Sequence, residues 1–290
     1  MAELVQFLLS GLTVGAVYGI VALGFTLIHN ASGVVNFAQG EFVMLGGMVT
    51  VFAAAAGLPL PLAALLAVAA AVAAGLLLHR LAIEPARGAS AVTLIIITIG
   101  ASIFLRGLAQ IVFDKRLHAL PAFSGEAPIH LLGAALPPQG LWVLGGAVAV
   151  FLGLWAFLER TLLGKAVLAT AANRLAARLV GVDTTAILAL SFGVSAGIGA
   201  LAGILVAPIT LTSADIGTLL ALKGFAAAML GGMGSPLGAV LGGLLLGLLE
   251  ALGAGYVSSG YKDATAFLVI LAVLFVMPQG LLGRRGVERV

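Results

Sequence analysis

Residues Glu159 to Thr185 read ERTLLGKAVLATAANRLAARLVGVDTT, a long charged run between two apolar stretches, roughly 141 to 158 and 186 to 211. Each stretch has about the 20 residues that a bilayer-spanning helix needs, so the two deliver the run between them to one side of a membrane. Within it, Asn173-Arg-Leu-Ala-Ala-Arg-Leu-Val-Gly181 opens on an N-cap residue and continues through good helix formers. It closes on a glycine suited to a left-handed exit. Leu175 and Leu179 are four apart, as are Arg174 and Arg178, so a short helix with an apolar and a basic stripe is expected. Such a helix either docks on a soluble partner or lies on the membrane surface as an ordinary loop helix.

Working outward, 62% of the 290 residues are hydrophobic and 9% charged, far below the roughly 25% charged of soluble domains. The chain is therefore expected to be an all-α, polytopic transmembrane helix bundle, a single transmembrane domain over 1–290. Besides the two stretches already named, spans are expected at roughly 4 to 28, 34 to 56, 61 to 79, 91 to 113, 216 to 231, 236 to 256 and 263 to 279. The stretch 216 to 231 is short and ends in Gly231-Gly232, which marks it as a tilted span or part of a broken helix and leaves eight or nine spans. The first segment, MAELVQ and onward, has no basic start and is too long for a signal peptide, so it is read as a span.

With nine crossings, Arg80, Arg87, Arg160, Lys165, Arg174, Arg178, Arg284, Arg285 and Arg289 fall inside, against Lys115, Arg116 and Lys262 outside. That asymmetry places the N-terminus outside and accounts for the basic pI of about 9.6 without any nucleic acid. The remaining basic residues, Arg106 and Lys223, lie within spans. So does Glu250, and Lys223 and Glu250 fall at a common depth, so mutual neutralisation is expected, with Arg106 as the competing partner of Glu250.

Gly11, Gly15 and Gly19 share one face of the first span, and Gly234, Gly238 and Gly242 are read as one face of the eighth. Small residues four apart let helix backbones approach closely in lipid. The second span opens with Asn36-Phe-Ala-Gln-Gly-Glu41 at the expected inner edge of the bilayer. Asn36, Gln39 and Glu41 there form either a structural polar knot or part of a pathway, since unpaired polar groups facing lipid are costly. A proton-carrying Glu41 is a further reading. Asp114 to Gly140 is the longest external loop.

No phosphate-cradling GxxxxGK[ST] occurs: Gly164-Lys165 is followed by Ala, and Glu159 stands where the first glycine belongs. His29, His79, His118 and His130 have no partners at metal-ligand spacing, no metal site is expected, and the absence of cysteine excludes disulfides. An intramembrane enzyme is not supported.

Gly11 to Gly46, with Asn36, Phe37, Ala38, Gly40 and Glu41 matching an NFAxGE run, resembles the opening of the permeases of branched-chain amino acid ABC importers, the LivH type. That family commonly has His where Gln39 stands, which argues against an essential titrating role there. The resemblance continues from Gly164 to Val182, in the family's ATPase-contacting loop. It returns at Lys223, Phe225, Ala227, Leu230, Gly231, Gly232, Gly234, Ser235, Gly238, Ala239, Gly242 and Gly243, and ends at Tyr261 to Asp263 and Met277 to Gly283. It implies a non-catalytic, multi-pass subunit of a bacterial-type plasma (inner) membrane. Its implied partners are a LivM-like second permease, two cytoplasmic ATPases carrying the ATP and Mg, and an external substrate-binding protein. ATPase coupling is implied for Gly164, Lys165, Asn173, Arg174, Leu175, Arg178, Leu179 and Gly181. Relatives of this type are also associated with urea, short amides and aromatic acids. A secondary transporter, the rival of another class, would show an internal repeat, and the halves here align no such repeat.

Overall fold

The computed structural model describes residues 2–131, 133–256 and 258–283, so Arg284, Arg285 and Arg289 lie outside the described residues. Each of the nine expected spans is a helix. In chain order they are α1 (Ala2–Ser32), α2 (Gln39–Ala55), α3 (Leu60–Leu78, prolonged by a π-turn over His79–Ile83), α4 (Ala91–Phe113) and α5 (Pro138–Arg160). The short α6 (Leu162–Ala172) and α7 (Arg174–Leu179) follow, then α8 (Thr184–Thr210), α9 (Ile216–Gly231), α10 (Pro236–Tyr256) and α11 (Lys262–Val276). Helix starts are set locally. Ser90 accepts from the Thr93 N–H at 3.2 Å to begin α4, and proline occupies the first turn of α3 and of α5.

Six of these helices, α1, α3 with its π-turn, α4, α5, α8 and α10, are long and apolar enough to cross a membrane alone. The other three expected spans fall short: α11 has 15 residues, and α2 with 17 and α9 with 16 are about 25 Å each at 1.5 Å per residue against a hydrocarbon core of about 30 Å. Both are continued by non-helical chain. After α1 the backbone turns at Gly33, φ 73°, and residues 34–38 run back up before α2 begins. After α8 it reverses at Leu211, φ 59°, and runs back down to the start of α9.

Glycine builds the centre of the bundle. Gly11 meets Leu248 and Ala251, Gly15 meets Gly243 and Leu244, and Gly19 meets Val240, so α1 and α10 run antiparallel with backbones in contact. Gly238 and Gly242 instead press on Gly231 and Ala227 of α9. Gly234 is not on the helix at all: it sits in the turn before Pro236 with φ 102°, where Asn30 donates to its carbonyl at 2.9 Å. The expected single face of Gly234, Gly238 and Gly242 is therefore a turn residue followed by an α9-facing pair. The faces that meet α1 belong to Gly243 and Gly247.

Helices α1 and α8 are buried in this core, whereas α4 is nearly free of the bundle on most of its surface. The connection from α4 to α5, expected to be external, carries a small antiparallel hairpin, β1 (Ile129–Leu131) and β2 (Ala134–Leu136). Gln6 near the start of α1 pairs with both backbone groups of Ala135, at 3.0 and 2.7 Å, so the N-terminal end of α1 lies on the same side as this connection. Single cysteines at Ala2 and Lys165, in a chain with none of its own, are expected to react with an impermeant maleimide from opposite sides of the membrane. Reaction of both from one side would overturn the orientation.

Candidate functional site

The two broken spans meet. A Cβ on Gly40 would strike the backbone of Gly217, and one on Gly217 would strike Gly40, so the first turns of α2 and α9 touch backbone to backbone. Gln39 lies beside Gly24 of α1 and Ser195 of α8. Gly24 precedes the end of α1 by eight residues and Ser195 follows the start of α8 by eleven, which sets α2's first turn about 12 to 16 Å above the inner helix ends. The Asn36 to Glu41 run was expected at the inner edge; it lies deeper because residues 34–38, non-helical and closing in a turn at Phe37 and Ala38, carry the chain up before α2 begins. Irregular backbone at such depth is tolerated where protein covers it, and Asn36, Gln39 and Glu41 are each 1% exposed or less.

These three polar side chains have different lots. Gln39 has both amide atoms engaged: its Nε2 donates to the Ser195 carbonyl at 3.1 Å and its Oε1 accepts from the Ser195 hydroxyl at 2.7 Å. That hydroxyl also reaches the Gly24 carbonyl at 2.9 Å, so the amide ties α1, α2 and α8 into one knot. Asn36 Oδ1 accepts from the Ala38 N–H at 3.1 Å, while its Nδ2 is buried with no partner. Glu41 Oε1 accepts from Ser102 at 2.8 Å, and its Oε2 is buried with no partner.

Ser102 belongs to a stripe that the sequence reading passed over. Ser102, Arg106 and Gln110 stand four apart on α4 and face the junction of the broken helices. Arg106 donates to Thr218 at 2.8 Å and Gln110 to Asp215 at 3.2 Å. Glu41 in the first turn of α2 and Asp215 at the start of α9 thus put a carboxylate at each half-helix N-terminus, where the helix dipole favours negative charge. A polar residue every fourth position in an otherwise apolar span was the available signal.

Lys223 and Glu250 do meet: Nζ lies 2.9 Å from Oε1, a contact of charges without aligned hydrogen-bond geometry. Arg106 is not the partner of Glu250. Two unforeseen groups complete the cluster. Lys223 also reaches Asp263 at 2.8 Å and donates to the Tyr18 hydroxyl at 3.1 Å, and that hydroxyl donates to Glu250 Oε2 at 2.7 Å. Four helices, α1, α9, α10 and α11, are fastened at one point.

Between α5 and α8, Asn173 caps α7, accepting from the Ala176 N–H at 2.9 Å, and Gly181 leaves it at φ 88°. The Gly181 and Val182 N–H groups return to the carbonyls of Arg178 and Ala177, both at 3.0 Å, a Schellman closure. The Asp183 carboxyl caps α8, and the N–H groups of Ala186 and Thr185 hold it below the usual carboxylate range. Gly164 lets α6 fold tightly back on α5, since a Cβ there would strike Phe157 and Leu158; the α6 helix itself was not expected. Leu175 and Leu179 are the exposed stripe, 68% and 80%. The basic stripe is tied back to its own subunit: Arg178, though exposed, donates through Nε to Thr184 at 2.8 Å, and half-buried Arg174 has its Nε buried. Among the described residues no group of three or more metal-ligating side chains gathers.

Comparison with known proteins places this geometry. The family described as branched-chain amino acid transport system / permease component matches residues 7–277. The chain is 36% identical to the high-affinity branched-chain amino acid transport system permease protein BraD of Pseudomonas aeruginosa, over 98% of this chain and 97% of that one. It is 34% identical, at the same coverage, to LivH of Escherichia coli K12, and 31% identical to the ribose import permease RbsC of that organism over 90% and 82%. Among solved structures, PsaBC from Streptococcus pneumoniae in complex with Fab aligns at a TM-score of 0.50 and 19% identity, over 94% and 93%, a likeness of fold alone. A family match over nearly the whole length, on a helical membrane bundle, establishes that this chain is a member of the branched-chain amino acid transport system permease component family.

Proposed function

We propose that this chain forms half of the translocation pathway of an ATP-driven importer of branched-chain amino acids in the inner membrane. In that assembly it pairs with a LivM-like second permease and is served by two cytoplasmic ATPases and an external substrate-binding protein. The observation that carries the reading is the full-length family match to transport permeases that themselves bear that substrate in their names. The chain carries no nucleotide motif, so ATP and Mg belong to the partner ATPases. The exposed leucine face of α7, set on the Gly164 and Lys165 turn and fixed by Asn173 and Gly181, is the ATPase-coupling element. Gln39 is the structural knot. Glu41, with a free carboxylate oxygen where the two broken helices meet, is the residue placed to face solute.

Radiolabelled leucine uptake into proteoliposomes holding the co-purified assembly tests this, with ATP inside and the binding protein outside. Uptake is expected only with both, and excess isoleucine or valine should suppress it. Leucine uptake independent of ATP would overturn the importer reading. ATP-dependent uptake of ribose, urea or a short amide in place of leucine would overturn the substrate.

A further inference from the structure

A cavity opens on the inner side between α7, the α3 π-turn, the start of α8 and the segment that climbs into α2, with Asn36 and Arg174 in its wall. Most of its polar groups are occupied. Thr98 Oγ1 accepts from the Phe37 N–H at 3.1 Å, Arg87 pairs with Glu84, and Arg87 also donates to Thr185 at 3.2 Å. Two atoms are left, Asn36 Nδ2 and Arg174 Nε, both buried and both without a partner. Each is a donor that accepts nothing, so what satisfies them is an acceptor. Asn36 is fully buried, which makes an unmet amide there costly.

Charge narrows the acceptor to an anion. Glu84, the carboxylate in the cavity wall, is engaged by Arg87, and His79 packs its ring on Phe192 at 5.5 Å. Arg174 therefore has no counter-charge, and burial, then the neighbouring Arg178 and Arg87, push its guanidinium below its ordinary value. A guanidinium edge beside an amide donor is the donor set that oxyanions take.

We propose that this cavity binds a phosphate-type oxyanion, whose oxygens accept from Asn36 Nδ2 and Arg174 Nε. The bound anion links the coupling helix α7 directly to the segment that enters the broken helix α2, so a displacement of α7 is felt at the junction with α9. The chemistry is shared by an inner-leaflet phospholipid headgroup and by free phosphate. It does not depend on which solute the importer carries.

The purified assembly, with this chain intact, is titrated with phosphatidylglycerol and followed by native mass spectrometry. In parallel it is dialysed in phosphatidylcholine nanodiscs against radiolabelled inorganic phosphate. One saturable equivalent per chain of one probe is expected, weakened at least about tenfold in Arg174→Gln and Asn36→Leu, the loss of one charge-assisted hydrogen bond. Saturation by the lipid alone assigns the headgroup as the source, and saturation by phosphate alone assigns the free ion. Where Asn36→Leu does not assemble, Arg87→Gln, at a side chain 46% exposed, is read in its place, with weaker binding expected. No saturable binding of either probe, or equal binding by wild type and variants, overturns the site.

Discussion

Lys223→Met should remove most of the assembled, transport-competent protein, and adding Glu250→Gln to it should give part of that protein back. Lys223, on the short apolar helix α9, and Glu250, on the span-length α10, are side chains 11% and 7% exposed. A lone charge at a span's centre costs about 2.5 to 3.5 kcal/mol to insert. Removing one partner of a buried ion pair, and leaving the other uncompensated, costs about 3 to 5 kcal/mol. The Lys variant leaves two carboxylates, Glu250 and Asp263, without the ammonium that both contact, and Glu250 keeps only the Tyr18 hydroxyl. Glu250→Gln alone should be milder, because Lys223 keeps Asp263, whose side chain is 51% exposed and reaches solvent. The double variant should therefore be less damaged than the sum, by a coupling of about 1 to 3 kcal/mol. Monodisperse yield on size-exclusion chromatography and the apparent melting temperature read the cycle. Strictly additive losses would show that the two charges, though adjacent, do not stabilise one another.

The same cluster shows what a sequence yields and what it withholds. Depth along a helix is countable, so Lys223 and Glu250 could be placed at one level before any rotation was known. Tyr18 could not be added, because an aromatic residue in a span is ordinary until its hydroxyl is seen between two charges. Hydropathy found all nine helices, since burial in lipid demands long apolar runs whatever the tertiary contacts. It could not find the break before α2, because Val34 and Val35 are as apolar as helix residues, and only the turn at Gly33 and the contact of Gln39 with Ser195 show the chain climbing. The glycine faces were legible as close-packing surfaces, but not their partners: Gly238 and Gly243, five apart on α10, serve different neighbours. Arg174 and Arg178 share a spacing with Leu175 and Leu179, and spacing alone does not say which stripe faces out.

The exposure of the leucine stripe sharpens the second expectation, which concerns α7 in its proposed coupling role. Leu175→Glu with Leu179→Glu should lower substrate-stimulated ATP hydrolysis and uptake at least about tenfold while the permease still inserts and stays monodisperse. Both leucines are largely exposed in this chain, so their loss costs the fold little. In a docked complex, each buried leucine contributes roughly 1.5 to 3 kcal/mol. Charging both positions of that one face then removes more than a factor of ten in association. Arg174→Glu and Arg178→Glu act differently: Arg178 holds Thr184 at the start of α8 and Arg174 lies within the wall beneath α7, so these variants should loosen the helix from its own subunit. Gly181→Val tests the mounting. Six residues are too few to hold a helix by themselves, so α7 depends on the Asn173 cap and on a left-handed exit that costs a β-branched residue about 1 to 2 kcal/mol. Valine there should lower coupling without touching either leucine. Full stimulated hydrolysis in the double leucine variant would reduce α7 to a surface loop, whereas lost hydrolysis together with lost insertion would assign it to the fold. Only the separation of the two, coupling gone and assembly intact, fits a helix whose apolar face is kept for another subunit.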